Sequence, residues 1–85
     1  LNTNESIKYT SNINVYPTLV TSTLNISSDY IINQYTITTI DGKVVKKSNL
    51  NNIKEKIEVS SLSKGIYIIT INSNHTTKSV KFIKQ

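Results

Sequence analysis

The stretch Leu62-Ser-Lys-Gly-Ile-Tyr-Ile-Ile-Thr-Ile71, followed after a polar gap by Lys78-Ser-Val-Lys-Phe-Ile-Lys-Gln85, gives the clearest indication of the fold. Both runs are rich in β-branched and aromatic residues, which pack well on a pleated sheet. Apolar and polar residues alternate in them, as in strands with one buried face. The residues predicted to face the core are Tyr67, Ile69 and Ile71 in the first run and Val80 and Phe82 in the second.

Similar short runs recur along the chain and are separated by turn signals. Asp41-Gly42 lies between two of them and predicts a type I′ hairpin turn, which needs positive φ at both central residues. Strands are predicted over seven segments: Ile13–Tyr16, Leu24–Ser27, Gln34–Ile40, Lys43–Lys47, Lys56–Val59, Ile66–Asn72 and Thr77–Lys84. About seven short antiparallel strands with one apolar face each predict an all-β fold, an immunoglobulin-like antiparallel β-sandwich.

The length and composition of the chain limit its organisation. It has 85 residues and no cysteine, so it is one small domain at most and lacks disulfides and thiolate metal sites. Residues 1–11 are polar and aperiodic, which predicts a linker from an upstream segment, and the domain is expected over residues 12–85. Leu1 in place of Met indicates a fragment of a longer precursor.

The sequence offers little for catalysis. Glu55 and Glu58 are close in sequence, but Glu58 alternates with predicted core residues and Glu55 begins a strand, so a paired acid and base is not expected. His75 is the single histidine and lies in a polar loop, where it can neither build a metal site nor complete a nucleophile–base pair. We therefore expect no enzymatic activity, no cofactor, no metal and no small-molecule substrate.

The formal net charge of +5 raises nucleic acid as a possible partner. The chain has no arginine for bidentate phosphate or guanine contacts, and its lysines are spread over several predicted strands, so nucleic-acid binding is not expected. Local clusters are Lys43, Lys46 and Lys47 at one hairpin and Lys78, Lys81 and Lys84 in the final strand. The terminal set either protects an edge strand from aggregation or is read by a partner as exposed charge.

Four segments together carry a resemblance to a known family. They are Asn14-Val-Tyr-Pro17, Leu24-Asn-Ile26, the Tyr35–Val45 hairpin with Gly42, and the Leu62–Ile71 block followed by a lysine-containing final strand. In this order they resemble the type A C-terminal sorting domain of the type IX secretion system of Bacteroidetes, from about Ile13 to Gln85. One departure is that Thr18 and Leu19 stand where the family usually has Asn-Pro.

The resemblance implies a non-catalytic secretion signal, fused to an upstream cargo protein. Its implied partners are the secretion translocon and a surface sortase that usually cleaves the signal, and the implied route runs from the periplasm to the cell surface or the medium. We expect a monomer. The family-motif and recognition candidates are Pro17, Gly42, Leu62, Gly65, Tyr67, Lys78, Lys81 and Lys84.

Two other functions stay open at this point: an accessory carbohydrate-binding module and a purely structural immunoglobulin-like module of a secreted protein. A carbohydrate-binding module needs an exposed aromatic platform. Tyr9, Tyr16 and Tyr30 are the aromatic residues that the predicted core does not use.

Overall fold

The computed structural model describes residues 12–74 and 76–85, and these residues form strands and turns without any helix. The predicted linker, residues 1–11, and His75 lie outside the described residues. The elements are β1 (Ile13–Tyr16), β2 (Leu19–Val20), β3 (Thr23–Thr39), β4 (Val44–Glu58), β5 (Gly65–Ser73) and β6 (Thr77–Lys84). The predicted all-β class is confirmed. Within the described part of the chain no helix could cross a membrane.

The strands form one continuous sheet in the order β1-β3-β5-β6-β2, with β4 on the other side of β3. Neighbours are antiparallel, except that the two-residue strand β2 runs parallel to the end of β6. The first half of β3 pairs with β1 and the second half of β4. Its second half pairs with β5 and the first half of β4. The long β3–β4 hairpin therefore belongs to two layers.

The sheet folds over where β3 contains extra residues. Between the pairs Ser27↔Lys54 and Ile32↔Asn52, four residues of β3 lie opposite one residue of β4. Such insertions bend a strand and increase its twist. One contact shows that the layers then face each other: Lys78 Nζ of β6 donates a 2.9 Å hydrogen bond to the carbonyl oxygen of Ile13 in β1.

The described residues form six strands where about seven were predicted, and two differences account for this count. Two pairs of predicted strands are each merged into one, which leaves five, and the unpredicted β2 is the sixth. The predicted strands at 24–27 and 34–40 are both parts of β3, and those at 43–47 and 56–59 are both parts of β4. The segments between them, residues 28–33 and 48–55, resemble loops in the sequence because apolar and polar residues do not alternate in them. Main-chain pairing nevertheless continues through them, since ladder hydrogen bonds do not depend on side-chain polarity.

The core lies between the two layers and draws on every strand. It contains Ile13, Val20, Leu24, Ile26, Ile32, Tyr35, Ile37, Ile57, Val59, Tyr67, Ile69, Ile71 and Phe82. The faces predicted for β5 and β6 are confirmed, with Val80 half-buried against the core. An irregularity at Asn33 moves the buried positions of β3 from even to odd numbers, so both halves present apolar residues inward.

The β3–β4 turn differs from the predicted type I′ turn. The N–H of Gly42 donates to the carbonyl of Thr39 at 3.0 Å, so Ile40 and Asp41 are the central residues and Gly42 follows them with a φ of 93°. This is the arrangement of a three-residue hairpin loop with glycine at the bulge. Thr39 favours it, because its Oγ1 accepts from the N–H of Lys43 at 3.1 Å and donates to the Asp41 carboxylate.

Candidate recognition surface

The Leu62–Tyr67 segment folds back on itself at the entry to β5. The N–H of Leu62 donates to the carbonyl of Val59 at 3.0 Å, and its side chain packs half-buried against the core. Gly65 has a φ of 156°, which residues with a Cβ rarely adopt. The hydroxyl of Tyr67 donates a 2.7 Å hydrogen bond to the carbonyl of Ser63. Leu62, Gly65 and Tyr67 therefore belong to a compact loop that is held by hydrogen bonds within residues 59–67.

Tyr67 also joins this loop to the terminal strand. It lies opposite Phe82 in the register of β5 and β6, and the two rings stack with centroids 5.6 Å apart and an angle of 22° between their planes. Phe82 is fully buried. Such aromatic pairs contribute about 0.5–1.5 kcal/mol beyond the apolar area that they bury. The conformation of the entry loop and the docking of β6 thus depend on each other.

The C-terminal end of β6 pairs with a strand on each of its two edges. β5 pairs along its whole length, and β2 pairs in parallel with Ile83 and Lys84. The N–H groups of Ile83 and Gln85 donate to the carbonyls of Thr18 and Val20 at 2.7 and 2.8 Å. The sequence did not predict β2, because a two-residue strand is too short to show a period. Its position two residues after Pro17 connects the first motif of the chain to the last.

The three terminal lysines have different environments. Lys81 is exposed and lies opposite Ile68, whereas the ammonium of Lys78 is engaged by the Ile13 carbonyl. Lys84 is only 8% exposed, and its Nζ donates a 2.9 Å hydrogen bond to the main-chain oxygen of Gln85. Of the two roles considered for the terminal lysines, recognition as exposed charge does not fit Lys84, because this residue shares the core-facing side of β6 with Phe82. Lys81 is the terminal lysine best placed to meet a partner.

Register brings most of the predicted residues to one end of the second layer. Thr39, Tyr67 and Phe82 form one row across β3, β5 and β6, so the Gly42 loop extends beyond the same end. Gly65 pairs with Lys84, and Thr18, next to Pro17, contacts Ile83 there. Lys78 lies towards the opposite end, opposite Ile71. We call the end formed by residues 17–18, 39–43, 62–67 and 81–85 the motif end.

Among the described residues, the two groups with shifted pKa values are Asp41 in the β3–β4 turn and Tyr35 in the core. A hydrogen bond from the Thr39 hydroxyl lowers the pKa of Asp41, with Lys43 adding to the effect. Burial raises the pKa of Tyr35; the Glu55 carboxylate raises it further, and a hydrogen bond with Ser48 opposes the shift. No group of three or more potential metal-ligating side chains occurs in the described ranges 12–74 and 76–85.

The tyrosines that the predicted core does not use differ in their exposure to solvent. Tyr16 is 53% exposed and lines a groove on the outer face of the first layer. Tyr30 is half-buried near the bend in β3. Tyr9 lies outside the described residues.

Comparisons with known proteins agree with this arrangement. A family model described as the secretion system C-terminal sorting domain matches residues 14–85. The chain is 41% identical over 73 residues, 85% of its length, to beta-agarase D of Zobellia galactanivorans, and it spans 14% of that relative. No solved structure matches. The family match begins in β1 and includes all of β6.

Proposed function

Because the chain belongs to the family of secretion-system C-terminal sorting domains, we propose that it directs an upstream cargo protein across the outer membrane through the type IX secretion system. The observation that carries the proposal is the family match over residues 14–85, which begins within β1 and includes all the later strands. The domain then occupies residues 12–85, and residues 1–11 link it to the cargo.

In this role the domain is a non-catalytic signal. It folds in the periplasm as a monomer, is recognised there by the translocon, and is removed by a surface sortase when the cargo reaches the cell surface or the medium. A folded domain presents a fixed surface, so binding does not require the ordering of a flexible segment. The mutual dependence of the Tyr67 loop and β6 supports recognition of the folded state.

The motif end is the proposed recognition surface. Lys81 provides exposed positive charge at this end, while Leu62, packed against the core, and the buried Tyr67 and Phe82 fix the shape of the main chain. Pro17 and Gly42 lie on the loops that border this end. Under this proposal most motif residues act through the fold, and Lys81 acts by direct contact with the translocon.

A two-strain export assay tests the sorting role. Residues 1–85 are fused to a fluorescent reporter that carries an N-terminal export signal. We expect the reporter at the surface or in the medium of a bacterium with a working type IX system, and in the periplasm when the translocon is disabled. Equal export in both strains would refute the sorting role and favour an accessory carbohydrate-binding or structural module.

Substitutions separate direct contact from effects on the fold. Lys81→Ala should reduce export while the melting temperature of the purified domain stays unchanged. Lys47→Ala removes an equally exposed lysine from β4 and should leave export at the wild-type level. If both substitutions reduce export equally, net charge is recognised and Lys81 has no specific contact.

A further inference from the structure

The outer face of the first layer carries an exposed aromatic ring that the core does not use. Tyr16 is 53% exposed, and among the described residues the other aromatic side chains are buried or half-buried. Its ring borders a groove of about 340 Å³ that Asn25, Ile26, Lys54, Glu55 and Lys56 also line. This groove lies on the layer formed by β1 and the paired halves of β3 and β4, whereas Lys81 lies on the β5–β6 pair of the other layer.

Strand register determines which side chains face the groove. Tyr16 pairs with Asn25, and Asn25 pairs with Lys56, so these three form one row across β1, β3 and β4. The next row on the same face contains Ser27 and Lys54. Neighbouring strands are about 4.8 Å apart, so Tyr16 and Lys56 are separated by roughly 10 Å. One pyranose ring with a charged substituent fits this span.

Lysines outnumber carboxylates in the lining of the groove. Lys54 and Lys56 are two residues apart on one strand, and their side chains therefore point to the same side. Glu55 lies between them on the strand and also lines the groove, so the lining contains two lysines and one carboxylate. Glu58 follows in the row beyond Lys56, where its carboxylate accepts a 3.3 Å hydrogen bond from the Thr23 hydroxyl. Two ammonium groups thus border the groove itself.

Asn25 adds a polar group between the ring and the lysines. Its Nδ2 donates a 3.4 Å hydrogen bond to the carbonyl of Tyr16, which orients the amide and leaves its oxygen to accept from a ligand hydroxyl. A flat aromatic ring, an oriented amide and two cations complement the apolar face, the hydroxyls and the anionic groups of a charged sugar. A few well-placed polar groups beside an apolar surface are typical of ligand sites.

We propose that the groove bordered by Tyr16, Asn25, Lys54 and Lys56 binds an anionic polysaccharide. A sugar ring stacks on Tyr16, Asn25 holds a hydroxyl, and the two lysines neutralise a sulfate or carboxylate. Single-stranded nucleic acid fits less well, because a base and its phosphates need a series of aromatic rings and a basic track. This site is independent of the proposed sorting role.

Binding to purified residues 1–85 tests the site, with dextran sulfate as the probe and calorimetry as the readout. Unsubstituted dextran supplies the sugar without charge, and polyacrylate supplies charge without sugar. We expect dextran sulfate to bind more tightly than either by about tenfold or more, the ratio that roughly 1.4 kcal/mol provides. Equal binding of polyacrylate, or tighter binding of single-stranded DNA, would overturn the proposal.

Variants locate the contact. Tyr16→Ala should weaken dextran sulfate binding by about five- to tenfold, and Tyr16→Phe should retain it because the ring remains. The Lys54→Gln/Lys56→Gln pair should weaken binding more than Lys47→Gln/Lys64→Gln, which removes the same charge elsewhere. The melting temperature of each variant confirms that it is folded. Equal losses from the two lysine pairs, or unchanged binding by Tyr16→Ala, would refute the site.

Discussion

Strands β4 and β5 both pair with β3, one along each side, yet their side chains differ sharply in burial. β5 lies between two strands, and alternate residues from Tyr67 to Ile71 are buried. β4 pairs only with β3 among the described strands, and its side chains are exposed or half-buried until Ile57. Strand β5 therefore contributes side chains to the core between the layers, whereas most side chains of β4 are exposed to solvent.

The difference in burial between β5 and β4 shows which structural property the alternation of apolar and polar residues indicates. In β5 the period of two is regular because one face is in the core throughout. In β4 a side chain gains little by being apolar at most positions. The segment from Ser48 to Glu55 has two apolar residues, Leu50 and Ile53, which do not alternate with period two, so it was not predicted as strand. Alternation therefore indicates burial of one face, and pairing without burial leaves almost no signal.

Substitution of Phe82, which lies in β6 and stacks on Tyr67 of β5, should give the largest effect and sharpen the contrast between the core-facing strands and β4. Phe82→Ala removes a fully buried ring that stacks on Tyr67 and should lower the free energy of unfolding by about 3–5 kcal/mol. Urea denaturation measures this loss. Val44→Thr, an exposed β-branched position of β4, should stay within about 0.5 kcal/mol of wild type. Equal losses would mean that β4 is packed as tightly as β6.

Substitutions at the two glycines with positive φ should give the second-largest loss of stability. Gly65→Ala should cost about 1–3 kcal/mol, because a φ of 156° strains any residue with a Cβ. Gly42→Asn should cost less, since its φ of 93° lies nearer the left-handed region that asparagine tolerates and its surroundings are open. Thermal unfolding of both variants checks the order. A larger loss at Gly42 would contradict the view that the β5 entry is the more constrained loop.

The Tyr67 hydroxyl should make a smaller contribution. Tyr67→Phe keeps the ring stacked on Phe82 and removes the hydrogen bond to the Ser63 carbonyl, so the loss should be about 0.5–1.5 kcal/mol. Tyr16→Phe is the matched control, because its side chain is exposed and its loss should be negligible. Unchanged stability of Tyr67→Phe would show that the loop closes without this bond.

The smallest effect should come from the turn of the exposed hairpin. The Thr39 hydroxyl lowers the pKa of Asp41, so the carboxylate stabilises the fold above the pKa of the unfolded chain, about 3.9, and this contribution is lost as the pH falls through the folded-state pKa. Asp41→Asn should therefore melt slightly lower than wild type at pH 7. The difference should disappear near pH 2. A constant difference across this range would exclude an effect of the charge.

Much of the sandwich could be predicted from the sequence, and the exceptions have physical causes. The buried faces of β5 and β6 follow from the strict alternation at Tyr67 and Phe82. Strand β2 could not be predicted, because two residues are too few to show a period. Alternation places Lys84 on the same side as Phe82, but its charge argued against burial. The polar Tyr16–Asn25–Lys56 row also escaped prediction, since only strand register brings these residues together.

The central claim is that the terminal strand completes the sorting signal, and truncation tests it most directly. Deletion of Lys81–Gln85 removes Phe82, the exposed Lys81 and the segment that pairs with β2. The reporter fusion with this deletion is expressed in a bacterium with a working type IX system, and surface and periplasmic fluorescence are compared with those of the intact fusion. The account predicts that the truncated fusion accumulates in the periplasm. Surface delivery at the level of the intact fusion would contradict it.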